Sequence, residues 1–485
     1  MSNGFALRGP VPQELITMQP MHVLVLGAGP TGLVTAMVLA KQGHRVTVVD
    51  QDPPPPVGGP DRVFADWKRP GVGQFSVAHI LLPAGYGRLR HELPDVVDHV
   101  LERGGRPHNV IAGALRLMPR GVAEPDDARF ATVAARRPVL EAALLAAAEH
   151  TEGVTVRRGT RARGLRTEVP SGAGVPHVTG LVLDEGEHLS ADLVVAASGR
   201  SDLAALLPEA GRQPRRIERG WRYYTRHFRS SDGGAAPHMP WPLHHHNSVS
   251  IVVVPGDSDT WSVSLVTSDR DQGLRGLARE EAWHRAIALY PGPAPWAKGE
   301  QVGAAVAMGG VRSTRRQLVC AGRPLVTGLV ALGDAWATTN PQFGLGMTAG
   351  ILHAGLLRDV LRETDVRDPV ELALRFEAGT ERQLEPLRAG LARWDTYRWA
   401  EIDADIRGEV HRCDDEGWIQ HVVGRTGGLQ DAAVMRAMGE IGFLLVDPAT
   451  AMSKPGLTAR FTELAAGAPR CAEGPDRDEL LAAVG

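Results

Sequence analysis

The stretch from His22 to Asp50 constrains the fold of this 485-residue chain more than any other. It begins with HVLVL, a short apolar run typical of a buried parallel strand, and continues into GAGPTG. The following LVTAMVLAKQG has helical spacing and ends at Gly43, a residue suited to close a helix. RVTVV then predicts a second strand, which ends at Asp50. Together these segments predict one βαβ unit and therefore a parallel sheet.

The turn in this unit has the spacing of a dinucleotide site. Its three glycines suit a tight turn, close approach of a pyrophosphate and close packing of helix on strand. Asp50 follows at the end of the second strand, where a carboxylate can accept hydrogen bonds from a ribose. The residues expected to bind a dinucleotide are Gly27, Gly29, Pro30, Thr31, Gly32 and Asp50. This unit alone does not separate FAD from NAD.

Composition narrows the possible partners and setting. With 43% hydrophobic residues and a net charge of −3, the chain gives no electrostatic reason to expect nucleic acid or an anionic membrane. Cys320, Cys413 and Cys471 are too few and too dispersed for a disulfide framework, which favours a reducing, cytoplasmic setting. The sequence shows no signal peptide and no apolar run of about eighteen residues, so we expect no membrane span.

The pattern of polar and apolar residues changes along the chain and predicts several regions. Residues 1–20 predict a loose tail, and 21–214 the first part of a Rossmann-like domain. From 215 to 320 polar and apolar residues alternate, which predicts an antiparallel-sheet domain on the substrate side. Residues 321–365 are expected to rejoin the first domain, and 366–485 to be mainly helical. The fold class is therefore α/β with an added antiparallel sheet.

Shorter segments give more local predictions. Helices are predicted at 136–150 and from about 346 to 364. Strands are predicted near 154–158, 177–185 and 192–200.

Two later motifs point to the same kind of ligand. LVALGDA ends a strand in Gly333-Asp334, and TTNPQFGLGMTAG then leads into a helix. Asp334 is placed to bind hydroxyls of a polyol such as a ribityl chain, and the glycines let backbone approach a flat ring. The N-terminus of that helix would stabilise the negative charge of a reduced flavin. Upstream, DLVVAASGRSD ends a strand in Ser198-Gly199-Arg200, small residues and an arginine beside a nucleotide-sized ligand.

In this order, the three motifs resemble those of the flavoprotein monooxygenases of the para-hydroxybenzoate hydroxylase type, over about residues 21–365. That family pairs GxGxxG with an ADG-like motif and a later GD…PxxGxG motif, here GAGPTG, AASGRSD and GDAWATTNPQFGLGMT. The resemblance implies FAD on a GR2-type domain, with Asp50 at the adenosine ribose, Arg137 near the pyrophosphate and Asp334 at the ribityl chain. The other cofactor residues it implies are Gly333, Pro341, Gly344, Leu345, Gly346 and Met347, the last five against the isoalloxazine ring.

Where these motifs differ from those of the common phenol hydroxylases, they resemble the motifs of another branch of the superfamily. Common phenol hydroxylases read GDAAH, whereas here Trp336 follows GDA, and Ser198 replaces the ADG aspartate. NPQFGLGMT, ASGR and RPGVGQFSVAHILL (69–82) are similar to the branch of polyether and squalene epoxidases, where the last segment lies near the flavin. Flavin halogenases share the scaffold, but their WxWxIP signature is absent and Lys68 is better explained as a surface lysine than as a hypohalite carrier.

The resemblance implies a monooxygenase, hydroxylase or epoxidase, that acts through a flavin C4a-hydroperoxide on a small organic or natural-product substrate with O2. NAD(P)H would supply electrons, directly or through a flavin reductase. Because the cofactor carries the chemistry, catalytic side chains stay unassigned, with His79 and Trp336 as candidates near the flavin. The alternatives are a reductase of the geranylgeranyl-reductase kind, a halogenase-like enzyme, and a flavin-binding protein without catalysis.

The run His244-His245-His246 invites a metal-site interpretation. Neighbouring residues of a strand point to opposite faces, so three in succession do not chelate one ion from a regular strand. We therefore expect no metal.

Aromatic residues cluster in two places. Those in the alternating region, which either line a substrate pocket or belong to the sheet, are Trp221, Tyr223 and Tyr224. Those expected to pack a C-terminal helix onto the body are Trp394, Tyr397 and Trp399.

Overall fold

The computed structural model describes residues 20–118, 120–169, 174–200, 206, 215–231, 241–411, 430–467 and 471–485. The described helices, in chain order, are α1 (Pro30–Ala40), α2 (Pro60–Asp66), α3 (Pro83–Glu92), α4 (Pro94–Glu102), α5 (Ala112–Leu117), α6 (Arg137–His150), α7 (Glu280–Ala288), α8 (Leu345–Glu363), α9 (Pro369–Gln383), α10 (Glu385–Ile406), α11 (Ala432–Gly442), α12 (Pro448–Met452), α13 (Leu457–Gly467) and α14 (Arg477–Val484). The strands are β1 (His22–Leu26), β2 (Arg45–Asp50), β3 (Arg106–Asn109), β4 (Ala131–Ala134), β5 (Val154–Arg158), β6 (Ala162–Glu168), β7 (His177–Leu183), β8 (His188–Ser190), β9 (Leu193–Ala196), β10 (Arg215–Arg229), β11 (Leu243–His245), β12 (Ser250–Pro255), β13 (Thr260–Ser268), β14 (Glu300–Arg315), β15 (Val319–Cys320), β16 (Arg323–Pro324), β17 (Leu329–Ala331) and β18 (Ala337–Thr338). Residues 1–19 of the predicted tail, and Cys413, lie outside the described part.

The predicted βαβ unit is confirmed and forms the centre of a five-stranded sheet. Its order is β17-β9-β1-β2-β5, and every pair in it is parallel. The carboxyl ends of parallel strands share one edge, and β9 alone separates β1 from β17. The carboxyl ends of β1 and β17 therefore lie at the same edge, about 10 Å apart across the sheet, and both glycine turns begin there.

Buried helices pack on this sheet. Ten of the eleven residues of α1 are buried, which explains why its sequence is apolar on all sides. α1, α6 and α8 share one hydrophobic cluster with β1 and β2. The helices predicted at 136–150 and 346–364 are confirmed as α6 and α8. The three short strands predicted nearby are also confirmed, although the third ends at Ala196.

The predicted antiparallel sheet is confirmed as well. Its order is β11-β12-β13-β10-β14-β18, with antiparallel pairing throughout. Its last strand, β18, follows the turn at Gly333 and pairs with Thr314 and Arg315 at the end of β14. The chain that leaves the parallel sheet thus passes directly onto the edge of the second sheet.

The described C-terminal region is helical, as predicted, and packs against both sheets. On α10, the ring of Trp399 stacks on Trp221 of β10 at 5.7 Å, and Trp394 meets Phe343 edge-on at 4.7 Å. After α14, the carbonyl oxygen of Gly485 accepts a hydrogen bond from Arg279, which holds the end of this helix against the segment that precedes α7. Among the described helices, none combines the length and the apolar character that crossing a membrane requires.

Candidate functional site

A cavity of about 430 Å³ lies where the carboxyl edge of the parallel sheet faces the second sheet. Its volume is in the range of ligand pockets. The predicted residues that line it are Gly27, Gly29, Pro30, Thr31, Asp50, His79, Arg137, Asp334, Pro341, Gly344, Gly346 and Met347. Those that do not are Gly32, Gly333, Leu345 and Trp336. One cavity therefore meets both glycine turns.

The first glycine turn leaves its backbone open toward this cavity. The N-cap residue of α1 is Gly29, which has no side chain to cap the helix, and the first N–H groups of a helix have no partner within it. A Cβ on Gly29 would meet no atom within 4 Å, so the space beside its backbone is open. A Cβ on Gly32 would instead lie 1.9 Å from the carbonyl oxygen of Gly27. Gly29 therefore faces ligand space, and Gly32 allows the helix to pack on the turn.

Thr31 links the two glycine turns. A Cβ on Gly333 would lie 2.8 Å from the Thr31 hydroxyl oxygen, and one on Gly350 of α8 only 2.0 Å from it. The start of α1 thus packs directly against the turn after β17 and against α8. This contact holds the N-termini of α1 and α8 in a fixed relation.

Asp334 presents an available carboxylate at the second turn. Its side chain is half-buried and lines the cavity. Among the described residues, no protein group donates a hydrogen bond to it. Burial raises the pKa of this carboxyl, while Arg137 and Arg200 oppose the rise. A shielded acceptor of this kind is suited to the hydroxyl groups of a ligand.

The loop of residues 341–347 follows Asp334. We call it the ring-side loop, because the resemblance implies that it contacts the flavin ring. Gly344 has a φ of +65°, and a Cβ there would lie 2.5 Å from Cγ2 of Ile80. α8 begins at Leu345 after its N-cap residue Gly344, which has no side chain to cap the helix, so its N-terminus, like that of α1, has N–H groups available. Both helix N-termini that the sequence places at the ligand are therefore open to it.

Asp50 is held by protein groups at the opposite end of the cavity. Its Oδ2 accepts hydrogen bonds from the Ala28 N–H at 2.6 Å and from Arg69 Nη2 at 2.7 Å. Its Oδ1 accepts one from the Asp52 N–H at 2.8 Å. These bonds fix the carboxylate at the cavity wall, and its binding of a ribose stays a prediction.

Sequence reasoning missed a buried charge network behind Asp50. Arg69 also donates to Asp52 at 3.1 Å and to Glu141, and Glu141 accepts from Nε of Arg137 at 2.6 Å. Although burial alone would raise the pKa of Glu141, the guanidinium groups of Arg137 and Arg69 hold it below its usual value. The available signal was Glu141 four residues after Arg137, on the same face of α6.

His79 is hydrogen-bonded to Arg137. Because a carbonyl only accepts and a guanidinium only donates, Nδ1 of His79 donates to the Val77 oxygen at 2.9 Å and Nε2 accepts from Arg137 at 3.0 Å. Burial, together with the charge of Arg137, lowers the pKa of His79 to about 3. The imidazole is therefore neutral near pH 7 and orients the guanidinium.

Arg200 connects two loops at the cavity. Its Nη2 donates to Oε1 of Gln74 at 2.9 Å, and both residues line the cavity. The predicted Ser198-Gly199-Arg200 motif, which follows β9, thus lines the cavity. Residues of the 69–82 segment line it as well.

The candidate Trp336 and the expected surface lysine Lys68 do not line the main cavity. Trp336 lies against a separate cavity of about 20 Å³, where its ring meets His353 edge-on at 5.4 Å. Lys68 is exposed and donates to the Ala65 carbonyl oxygen at 2.6 Å. No lysine is among the described residues that line the main cavity.

The histidine run and the aromatic residues of β10 serve packing. His245 is hydrogen-bonded to Ser250, and His246 to the Ala472 carbonyl oxygen. In the described part of the chain, no group of three or more His, Cys, Asp or Glu is arranged to hold a metal ion. Among the described lining residues of the main cavity, none is Trp221, Tyr223 or Tyr224; these three are buried in hydrophobic clusters.

The groups at this cavity fit FAD. A long cofactor with a pyrophosphate in its middle needs one open helix N-terminus there, a hydroxyl acceptor beyond it and a second helix N-terminus at the ring. The open backbone at Gly29, the available carboxylate of Asp334 and the uncapped start of α8 supply these.

Comparison with known sequences agrees with this fit. Residues 22–72 match the family described as FAD dependent oxidoreductase. Protein Rv3254 of Mycobacterium tuberculosis is 27% identical over 387 residues, which cover 76% of this chain and 78% of that protein. The FAD-dependent monooxygenase atnJ of Arthrinium sp. is 23% identical over 430 residues, which cover 79% of this chain and 85% of that protein.

Solved structures establish the fold. PqsL of Pseudomonas aeruginosa matches with a TM-score of 0.57 and 19% identity, over 80% of this chain and 96% of that one. CmlS, a flavin-dependent halogenase, matches with a TM-score of 0.52 and 17% identity, over 96% of this chain and 76% of that one. PqsL, described as a probable FAD-dependent monooxygenase, and CmlS, a halogenase, therefore share this fold.

Proposed function

We propose that this chain is an FAD-dependent oxidoreductase that transfers one atom of O2 to a small organic substrate. The observation that carries the proposal is the single cavity that meets both glycine turns. The similarity to an FAD-dependent monooxygenase over 79% of the chain supports the same reaction class.

The proposed cofactor contacts run along the cavity. Gly29 and the N-terminus of α1 bind the pyrophosphate, with Asp50 on the adenosine side and Arg137 nearby. Asp334 binds the ribityl hydroxyls, and the loop from Pro341 to Met347 contacts the ring. When reduced, FAD supplies the electrons that activate O2.

The protein's own contribution to the reaction is to orient the substrate and exclude water. Val77 and Ala78 of the 69–82 segment, with Met308 and Val311 of β14, give the cavity an apolar wall. Such a wall would bind an apolar part of a substrate and keep water away from the reacting atoms. His79, neutral near pH 7, holds the Arg137 guanidinium and is not positioned as a proton donor.

The decisive experiment mixes the anaerobically reduced holoprotein with O2 in a stopped-flow spectrometer. We expect a transient absorbance before oxidised flavin appears, since the reaction with O2 and the return to oxidised flavin are separate steps. Immediate reoxidation without a transient would contradict oxygen transfer and favour a reductase of the geranylgeranyl-reductase kind.

The electron donor is tested separately. NADPH and NADH oxidation is followed with and without a generic flavin reductase. Turnover by the protein alone identifies direct reduction, whereas turnover only with the reductase identifies a partner enzyme. Absence of turnover with every reductant would favour a non-catalytic flavin-binding role. Mass spectrometry of the product formed under ¹⁸O2 shows whether one oxygen atom of O2 is incorporated. NMR spectroscopy of that product then distinguishes an alcohol from an epoxide, which have the same mass.

A further inference from the structure

Helix α10 places a carboxylate behind the ring-side loop. Asp395 is 1% exposed, and it does not line the cavity. Its Oδ1 accepts hydrogen bonds from Nδ2 of Asn340 at 2.6 Å and from Nε1 of Trp221 at 3.2 Å. One oxygen therefore binds the loop that precedes α8 and the strand β10 of the second sheet.

These contacts determine the orientation of the Asn340 amide. With Nδ2 donating to Asp395, Oδ1 of Asn340 is left to accept from the Gln342 N–H at 3.0 Å and from the Tyr223 hydroxyl at 2.9 Å. A flipped amide would place its oxygen against the Asp395 carboxylate and its NH₂ against two donors. The acceptor on α10 therefore excludes the alternative amide orientation.

The amide in turn shapes the loop that faces the cavity. Asn340 caps the short 3-10 turn at Pro341–Phe343, which leads to Gly344 and the start of α8. Pro341 and Gly344 line the cavity, while Asn340 and Asp395 do not. Asp395 thus acts on this loop through Asn340.

We propose that Asp395 is a positioning residue, which fixes the ring-side loop against the cofactor by orienting the amide of Asn340. This inference rests on the proposed function only in placing the flavin ring at that loop.

The charge of Asp395 makes the positioning pH-dependent. Burial raises the pKa of Asp395 to about 7, although the bonds from Asn340 and Trp221 oppose the rise. The groups that face it from β10 and the loop, Trp221 and Asn340, do not titrate in this range, and burial holds the pKa of nearby Tyr223 far above it. An ionised carboxylate makes the stronger bond to an amide donor. The loop is therefore held more firmly above pH 7 than below it.

The first test measures amide hydrogen exchange at Gln342 in the protein without added cofactor. Asp395→Leu, which removes the acceptor, should speed this exchange about tenfold, the effect of losing one hydrogen bond. Asp403→Leu is the matched control, because Asp403 lies on the same helix and pairs with Arg219 of β10 but not with the loop. Unchanged exchange in Asp395→Leu, or an equal increase in the control, would overturn the proposal.

The second test uses Asp395→Asn, which keeps an oxygen acceptor but does not ionise. The ratio of Gln342 exchange rates in wild type and variant should change across pH 7, and the flavin absorbance of the holoprotein should shift with pH in wild type only. A constant ratio from pH 5.5 to 8.5 overturns the inference even if Asp395→Leu does not fold. Failure to bind FAD would count against the proposed function and leave the exchange comparison valid.

Discussion

At the scale of single residues, the cavity has two carboxylates with opposite surroundings. Asp50 is bound by Arg69 and two backbone N–H groups, so its charge is already compensated by the protein. Asp334 has no such donors among the described residues, and its pKa is raised by burial. The first is built into the wall, whereas the second is free to accept from a ligand.

Replacing Asp334 tests this difference. Asp334→Ala should weaken FAD binding about 10- to 100-fold, since hydrogen bonds to a charged acceptor are lost. The dissociation constant is measured by fluorescence titration of the apoprotein. Asp184→Ala, at an exposed carboxylate paired with Arg163, is the control. Equal affinity in wild type and Asp334→Ala would contradict the placement of the ribityl chain.

Glu141 gives a prediction about acid stability. Its pKa in the folded protein is depressed by Arg137 and Arg69, so it adds stability above its unfolded pKa of about 4.3 and loses that contribution as pH falls through the folded value. Glu141→Gln should lower the free energy of unfolding by about 3–5 kcal/mol at pH 7, because it leaves buried arginines without their partner.

Urea unfolding at pH 7 and at pH values below 4 measures this effect. The difference between wild type and Glu141→Gln should shrink at the lower pH. Glu187→Gln, which removes an exposed partner of Arg157, is the control. It should leave the urea midpoint unchanged at both pH values. If the difference in unfolding free energy between wild type and Glu141→Gln grew on acidification, it would contradict a depressed pKa of Glu141 in the folded protein.

At the scale of elements, α1 illustrates how one turn serves folding and binding at adjacent positions. Gly32 packs on the Gly27 carbonyl, whereas Gly29 opens to the cavity. The same GxGxxG spacing thus contains one glycine needed for packing and another needed for close approach of a ligand.

Two alanine variants separate these roles. Gly32→Ala should destabilise the protein, because its Cβ would overlap the Gly27 oxygen and α1 would have to shift. Gly29→Ala should leave the thermal midpoint of the apoprotein nearly unchanged and weaken FAD binding at least about tenfold, since the methyl group occupies the space of a phosphate. Loss of apoprotein stability in Gly29→Ala would show that its open side is not ligand space.

At the scale of the whole molecule, the parallel sheet, the second sheet and α10 converge on one cavity. The two glycine turns are 306 residues apart in the chain, from Gly27 to Gly333, yet Thr31 places them in contact. A ligand that binds both turns gains from the linkage of its two halves, because the second contact becomes intramolecular.

FAD should therefore stabilise the protein more than its separate halves do. Thermal melting of the apoprotein is followed with FAD, FMN, AMP and an equimolar mixture of the last two. At equal concentrations, FAD should raise the melting temperature clearly more than the mixture, as tighter binding to the folded state requires. If the mixture matches FAD, the two turns do not hold one molecule.

The sequence by itself determined the local elements, and it predicted the chemistry of the two turns. HVLVL, GAGPTG and RVTVV each encode one element, a strand, a turn and a second strand, in a few neighbouring residues. LVALGDA and the glycine loop after it likewise encode a strand and a turn. Periodicity and turn residues act over a few positions, which is why these predictions succeeded and why most predicted cofactor residues line one cavity.

Only the tertiary structure decided which distant side chains meet. Glu141 joins Arg69, and Asp395 joins Asn340, across 72 and 55 residues, and neither pair has a local pattern that would reveal it. Trp336 lies beside a smaller cavity because β18 continues onto the second sheet, and Trp221 is buried because α10 covers it. These outcomes depend on how sheets and helices pack, and packing depends on all the elements together rather than on any one segment.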